Sequence, residues 1–149
     1  MRWHVLQVAR PEEIYKRPVS LAVAKFIGEA NFFLAEVKDA DFALLEGRVG
    51  LRVALRGLQG SVWVGFRPED AEIVDPEAAD DGLVGTIREQ TYLGSYIRYD
   101  IDCGLSRPVS IQTAVPESGV SRAEGEKVGL KLLGSRLLVF PGSDREQEL

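Results

Sequence analysis

Residues 31–67 read NFFLAEVKDADFALLEGRVGLRVALRGLQGSVWVGFR. Four short apolar runs, NFFLAEV, FALLEG, LRVALRG and SVWVGFR, are separated by glycine, aspartate and other polar residues. Five more follow at similar spacing: LVGTIREQTYLG from Leu83, YIRYDIDCG from Tyr96, PVSIQTAV from Pro108, KVGLKLL from Lys127 and RLLVF from Arg136. Runs of this length, punctuated every 8–12 residues or so, predict an all-β barrel or sandwich. The stretch YIRYDID alternates, so Tyr96, Arg98, Asp100 and Asp102 share one face and Ile97, Tyr99 and Ile101 the other. Strands this dense favour closure into barrels, which removes unpaired edges.

Outward from this core, the polar stretch DPEAADDG at 75–82 breaks the rhythm and reads as a link between two β lobes. Both GLQGSVWVGFRPED at 57–70 and GEKVGLKLLGSRLLVFPGSD at 125–144 close a run of strands with glycine-punctuated apolar pairs. The domain plan is therefore a helical segment over 1–30, an OB-like region over 31–142 of two intertwined lobes joined near 75–82, and a charged tail that frays over 143–149.

Upstream, ARPEEIYKRPVSLAVAKFIGEA at 9–30 predicts two short helices. Pro11 suits the first helical position, where its missing N–H costs nothing. Glu12 and Glu13 place negative charge in the first turn, where the helix dipole favours it. Pro18 ends that helix. Ser20 caps a second one, and Gly28 stops it. Leu21, Ala24 and Ile27 share a face that Val23 and Phe26 widen, and that face needs a cover.

The 149 residues carry 45% hydrophobic and 28% charged side chains and a net charge of −5, as an ordinary globular domain does. An acidic balance argues against a nucleic-acid partner, which requires a local surplus of Lys and Arg. No apolar run is long enough to span a bilayer. Cys103 is the single cysteine, which excludes an internal disulfide and suits a reducing, cytoplasmic setting. With Gly104 beside it, Cys103 reads as a small packed thiol. His4 is the single histidine; it rules out a multi-histidine metal site and is assigned no role. Neither G-x-x-x-x-G-K-[ST] nor G-x-G-x-x-G occurs. Trp63, within an apolar run, reads as core or interface.

The stretch VGFRPEDAEIV at 64–74 ends a strand in an Arg-Pro-Glu-Asp turn. Pro68 fixes φ there, while Arg67 and Glu69 set opposite charges on the turn. It reads either as a salt-bridged turn or as an interface loop whose Arg fork and carboxylate meet a partner.

Taken in order, PEEIYKRPVSLAVAKFIGEANFF, VGFRPEDAEIV, GTIREQTYLGSYIRYDI and GEKVGLKLLGSRLLVF resemble the C-terminal part of the ATP-binding subunit of an ABC importer. The first resembles the end of the nucleotide-binding domain. The others resemble the regulatory, transport-associated OB (TOBE) domain of the spermidine/putrescine, iron and sugar importer group. The resemblance covers Val5 to Phe140. It implies a cytoplasmic chain, peripheral to the inner face of the cell membrane, that pairs as a homodimer. It also implies contact with permease subunits through the parent ATPase, and no direct membrane insertion. Its interface candidates are Gly65, Phe66, Arg67, Pro68 and Glu69, with Tyr92, Leu93 and Gly94. Ile14, Tyr15, Leu21, Ala24, Phe26 and Ile27 are expected to pack against the ATP-binding domain, so the chain corresponds to the C-terminal piece of a longer subunit. ATP and magnesium belong to that parent; no cofactor, metal or catalytic residue is expected in this chain. The family carries Thr or Ser where Arg10 stands, so one helix cap is lost, at about 1 kcal/mol.

Two other functions fit parts of the sequence. Relatives of this barrel hold oxyanions such as molybdate, and Ser95, Arg98, Ser135 and Arg136 offer donors for one. A single-strand nucleic-acid binder would stack bases on Tyr92, Tyr96 and Tyr99, but Asp100 and Asp102 sit among them.

Overall fold

The structure, a computed structural model, describes residues 9–79, 83–119 and 121–144. His4 and residues 80–82 and 145–149 of the expected link and tail lie outside the described residues. Two short helices, α1 (Pro11–Lys16) and α2 (Leu21–Ile27), precede ten strands. Strands β1 (Asn31–Asp39), β2 (Phe42–Leu45), β3 (Val49–Arg52) and β4 (Ser61–Phe66) form one antiparallel sheet, closed at its far edge by β10 (Leu138–Pro141). The order is β10-β4-β1-β2-β3. Strands β5 (Ala71–Val74), β6 (Val84–Tyr92), β7 (Tyr96–Asp102), β8 (Val109–Ala114) and β9 (Lys127–Leu132) form the second sheet in the order β5-β9-β6-β7-β8. The expected fold class is thus what the chain adopts: mostly β, with two short helices at the start.

The chain crosses from the first sheet to the second at 67–70 and returns at 133–137, so the last strand completes the sheet begun by the first. The polar segment that follows β5 is described over 75–79, and it lies on the second sheet. Ala79 packs so closely on Gly129 that a Cβ there would come within 2.5 Å of it.

A single apolar core runs through both sheets, from Phe33, Leu51 and Val64 on the first to Ile87, Ile101 and Leu130 on the second. A smaller cluster of Leu21, Ala24, Phe32, Leu138 and Phe140 seats α2 on the other face of the first sheet. This explains the consecutive apolar residues that open β1. Phe33 and Ala35 face the common core, while Phe32 faces the helix.

LRVALRG is strand only to Arg52. Val53 and Leu55 still enter the core beyond it, and Arg56 and Gly57 take positive φ, 51° and 80°, in the turn that follows. The segment AEIV, absent from the nine expected runs, forms β5 on the edge of the second sheet. Asp144, within the expected tail, is tied down: its carboxylate accepts from Leu21 N at 3.2 Å and its carbonyl from Trp63 Nε1 at 3.2 Å.

Candidate functional site

The turn after β4 is densely bonded to the helices that precede it. Arg67 is 1% exposed. Its Nη1 donates to the carbonyls of Ala24, Gly28 and Glu29 at 3.0, 2.7 and 3.1 Å, and Nη2 reaches that of Tyr15 at 3.4 Å. The last turn of a helix leaves carbonyls without N–H partners and carries the negative end of the dipole. A planar guanidinium meets both needs at once. Its face lies 4.5 Å from the centre of the Tyr15 ring, a cation–π contact. Burial pulls the Arg67 pKa down, against the opposing pull of Tyr15, Glu69 and Asp70. The Tyr15 hydroxyl donates to Glu69 at 2.6 Å. Burial, and then that bond, push the Tyr15 pKa up to about 12.

Beside this clamp sits a second one, which joins the two sheets. Asn31 Nδ2 donates to the carbonyls of Phe66 and Ser110 at 3.3 and 2.9 Å, and Ser110 N returns a bond to Asn31 Oδ1 at 2.8 Å. Ser110 Oγ donates to Asp100 at 2.9 Å and accepts from Arg98 at 2.9 Å. Arg98 then grips both oxygens of Glu29, each at 2.6 Å. The bond to Glu29 is the main cause of the raised Arg98 pKa. One polar chain thus runs from the end of α2 through β8 and β7. A polar residue opening the otherwise apolar run NFFLAEV is the sequence signal that marks Asn31.

The expected interface residues separate into two places. Gly65, Phe66, Arg67 and Pro68 are buried in this chain; Glu69 is exposed. A Cβ on Gly65 would overlap the Phe32 ring and come within 2.7 Å of the Asn31 carbonyl, so this glycine serves close packing between β4 and β1. Tyr92, Leu93 and Gly94 form the β6–β7 hairpin tip on the other sheet. Tyr92 is 57% exposed and Leu93 44%, and Gly94 takes φ 89°. The Tyr92 hydroxyl bonds Ser121 Oγ at 3.2 Å.

The residues expected to face a preceding domain also divide. Leu21 and Ala24 are fully buried against Phe32, Leu138 and Phe140 of this same chain. The sheet's outer face, not a neighbouring domain, covers them. Phe26 is 71% and Ile27 40% exposed, while Ile14 and Tyr15 are half-buried.

The donors weighed for an oxyanion do not converge. Arg98 is held by Glu29 and Asp100, Arg136 lies 3.8 Å from Asp70, Ser95 is exposed at the hairpin, and the Ser135 side chain falls outside the described residues. Of the three tyrosines weighed as stacking platforms, Tyr99 is buried and accepts from Arg122 N at 3.0 Å, on the opposite strand face from Tyr96. Cys103 is buried, and burial followed by Asp102 pushes its pKa up to about 12, the opposite of what an activated thiol requires.

The sequence pattern of the TOBE domain matches residues 64–140. The Fe(3+) ions import ATP-binding protein FbpC 3 of Rhodococcus jostii is 32% identical over 130 residues, which are 86% of this chain and 36% of that protein. The spermidine/putrescine import ATP-binding protein PotA 1 of Pseudomonas aeruginosa is 39% identical over 116 residues, 73% of this chain and 31% of that protein. The chain spans about a third of the length of these curated relatives. Among solved structures, the molybdate-bound cytoplasmic protein ModG superposes with a TM-score of 0.57 at 15% identity, over 74% of this chain and 95% of that one; the likeness is one of fold.

Proposed function

The chain belongs to the TOBE domain family, and on that premise we propose that it is the regulatory and dimerisation part of an ABC importer's ATP-binding subunit. The observation that carries this reading is the extended alignment. Import ATP-binding proteins for iron and for polyamines align over most of this chain, well beyond residues 64–140. The solute carried is iron, a polyamine or a sugar. ATP and magnesium act in the parent subunit, and the permease subunits are reached through it. Residues 1–30 close the ATP-binding domain, and the exposed Phe26 and Ile27 face it, with Ile14 and Tyr15 alongside. The whole sits in the cytoplasm, peripheral to the membrane; among the described residues no helix is long and apolar enough to cross one.

Pairing of two copies uses the hairpin tip of Tyr92, Leu93 and Gly94 together with the exposed Glu69 at the end of the β4 turn. Exposed aromatic and aliphatic side chains of this kind anchor interfaces. Sedimentation velocity on the chain across a hundredfold range of concentration, about 1 to 100 μM, tests this. A concentration-dependent dimer is expected; a monomer at every concentration, for the full-length subunit as well, overturns the dimerisation role.

The second reading is an OB domain that binds a small oxyanion, favoured by the fold shared with a molybdate-bound protein. Titration calorimetry with molybdate and sulfate distinguishes the two: saturable heat supports this reading, and none removes it.

A further inference from the structure

The order of the second sheet, β5-β9-β6-β7-β8, puts β5 and β8 at its two edges. Among the described residues, β5 pairs only with β9 and β8 only with β7. A cleft of about 590 Å³ lies between the two edges, with Ala71 and Ile73 on one wall and Gln112 and Ala114 on the other. At one end the edge of β8 is covered, because the Asn31 side chain takes both the N–H and the carbonyl of Ser110. Main-chain groups that point away from a neighbouring strand recur at every second residue. Gln112 and Ala114 therefore also turn theirs away from β7, and there no strand lies alongside. Unpaired strand edges of this kind receive extended segments of other chains.

The β6–β7 hairpin tip stands directly beside this cleft. Tyr96 pairs with Ala114, Val115 N donates to the Ser95 carbonyl at 3.4 Å, and the Tyr92 hydroxyl bonds Ser121, the neighbour of Arg122 on the cleft wall. Tyr92, Leu93 and Val115 are all exposed. No charged residue occurs from Gln90 to Ile97 or from Pro108 to Pro116, in a chain of which 28% is charged. Loss of charge around exposed aromatic and aliphatic side chains is the compositional mark of an interface centre. Two copies, each of net charge −5, repel one another, and an uncharged patch is where they meet at least cost. A projecting tip beside a cleft is also self-complementary: about a twofold axis, each tip enters the cleft of the other copy.

We propose that the cleft between β5 and β8 seats the β6–β7 hairpin tip of a second copy of this chain, each copy giving a tip and receiving one. The inference rests on the dimerisation reading above and adds to it the seat of the tip. Sedimentation velocity of the full chain tests it with two variants, Leu93→Asp on the tip and Ala114→Trp, which fills the cleft from the exposed end of β8. Each alone loses both seats and should weaken self-association about tenfold. Mixed together, the two variants keep one intact seat, the tip of the Ala114→Trp copy in the cleft of the Leu93→Asp copy. The mixture should therefore associate about threefold more tightly than either variant alone. Glu69 and Glu72 line the cleft, whereas its Arg122 is held by Glu126 and Asp75, so Leu93→Lys should weaken pairing less than Leu93→Asp. A parent chain that dimerises but ignores Ala114→Trp, or a mixture no tighter than its components, overturns this seat and leaves the dimer standing. A parent chain and full-length subunit that stay monomeric overturn both. If Ala114→Trp fails to fold by circular dichroism, Glu72→Trp, exposed on β5, blocks the cleft from its other wall in the same experiment.

Discussion

The turn at 65–69 and the hairpin tip at 92–94 meet water in opposite ways. Both combine glycine with an aromatic residue beside a strand end. The first is folded inward: its arginine is spent on the carbonyls of a helix end, and its glycine lets two strands approach closely. The second projects outward, its tyrosine and leucine bonded to little beyond Ser121. The difference teaches that charge and aromaticity do not by themselves mark a contact surface. What decides is whether the chain already supplies the partner. For the arginine it does, through carbonyls at and just beyond the ends of α1 and α2; for the hairpin tip it does not.

The largest effect should come from removing the inward arginine. Arg67→Ala strips donors from four main-chain carbonyls and is expected to lower unfolding free energy by about 3 kcal/mol. Arg67→Lys, which keeps the charge but not the fork, should cost somewhat less. Urea denaturation of both variants measures this. A loss under about 0.5 kcal/mol, the level of a bland surface change, would erase the contrast.

Next in size is Gly65→Ala, expected to cost about 2 kcal/mol by overpacking against Phe32. In the double variant with Phe32→Leu the two costs should add to less than their sum, since the smaller side chain relieves the overlap. Strict additivity in the denaturation series would show that the two residues do not share a packing constraint.

A smaller effect is set by pH. Folding raises the pKa of Cys103 from 9.0 to about 12 and that of Tyr15 from 10.0 to about 12. The folded state therefore holds protons that the unfolded state has released, and stability must fall as pH rises through this range. Their contribution is intact below about pH 9 and is lost by about pH 12. Thermal melts from pH 8 upward should show the decline, with Tyr15→Phe removing the part that begins near pH 10 and Cys103→Ala the part that begins near pH 9. A flat profile for the parent chain would contradict both burials.

The smallest change in stability belongs to the outward tip. Leu93→Asp should alter unfolding free energy by no more than about 0.5 kcal/mol. The same change should weaken self-association about tenfold, read by sedimentation. A large stability loss without a change in association would make the tip a part of the core instead.

The strand content was legible because it rests on spacing alone: of the ten strands among the described residues, nine overlap the apolar runs picked out from Asn31 onward. β5 was not, since AEIV is four residues long and follows a proline turn without alternation of its own. The helices were legible from Pro11, Ser20 and Gly28, and Ser20 does accept a bond from Val23 N at 3.3 Å. What covers them was not. The Leu21–Ala24 face and the Phe32 ring are matched in space by β10, which lies more than a hundred residues away in sequence. Separation in sequence hid the Arg67 clamp too, whose carbonyl partners lie 38 to 52 residues before it. The clamp joins α1, α2 and the turn after β4, elements that periodicity describes one at a time.

That return also sets an order of events during synthesis. Strands β1 to β4 leave the ribosome early, yet the edge of β4 stays unpaired and Phe32 lacks part of its cover until residues 138–141 have been made. The early half therefore waits for the late half, and a nascent chain halted before Leu138 presents an open strand edge to any other chain nearby.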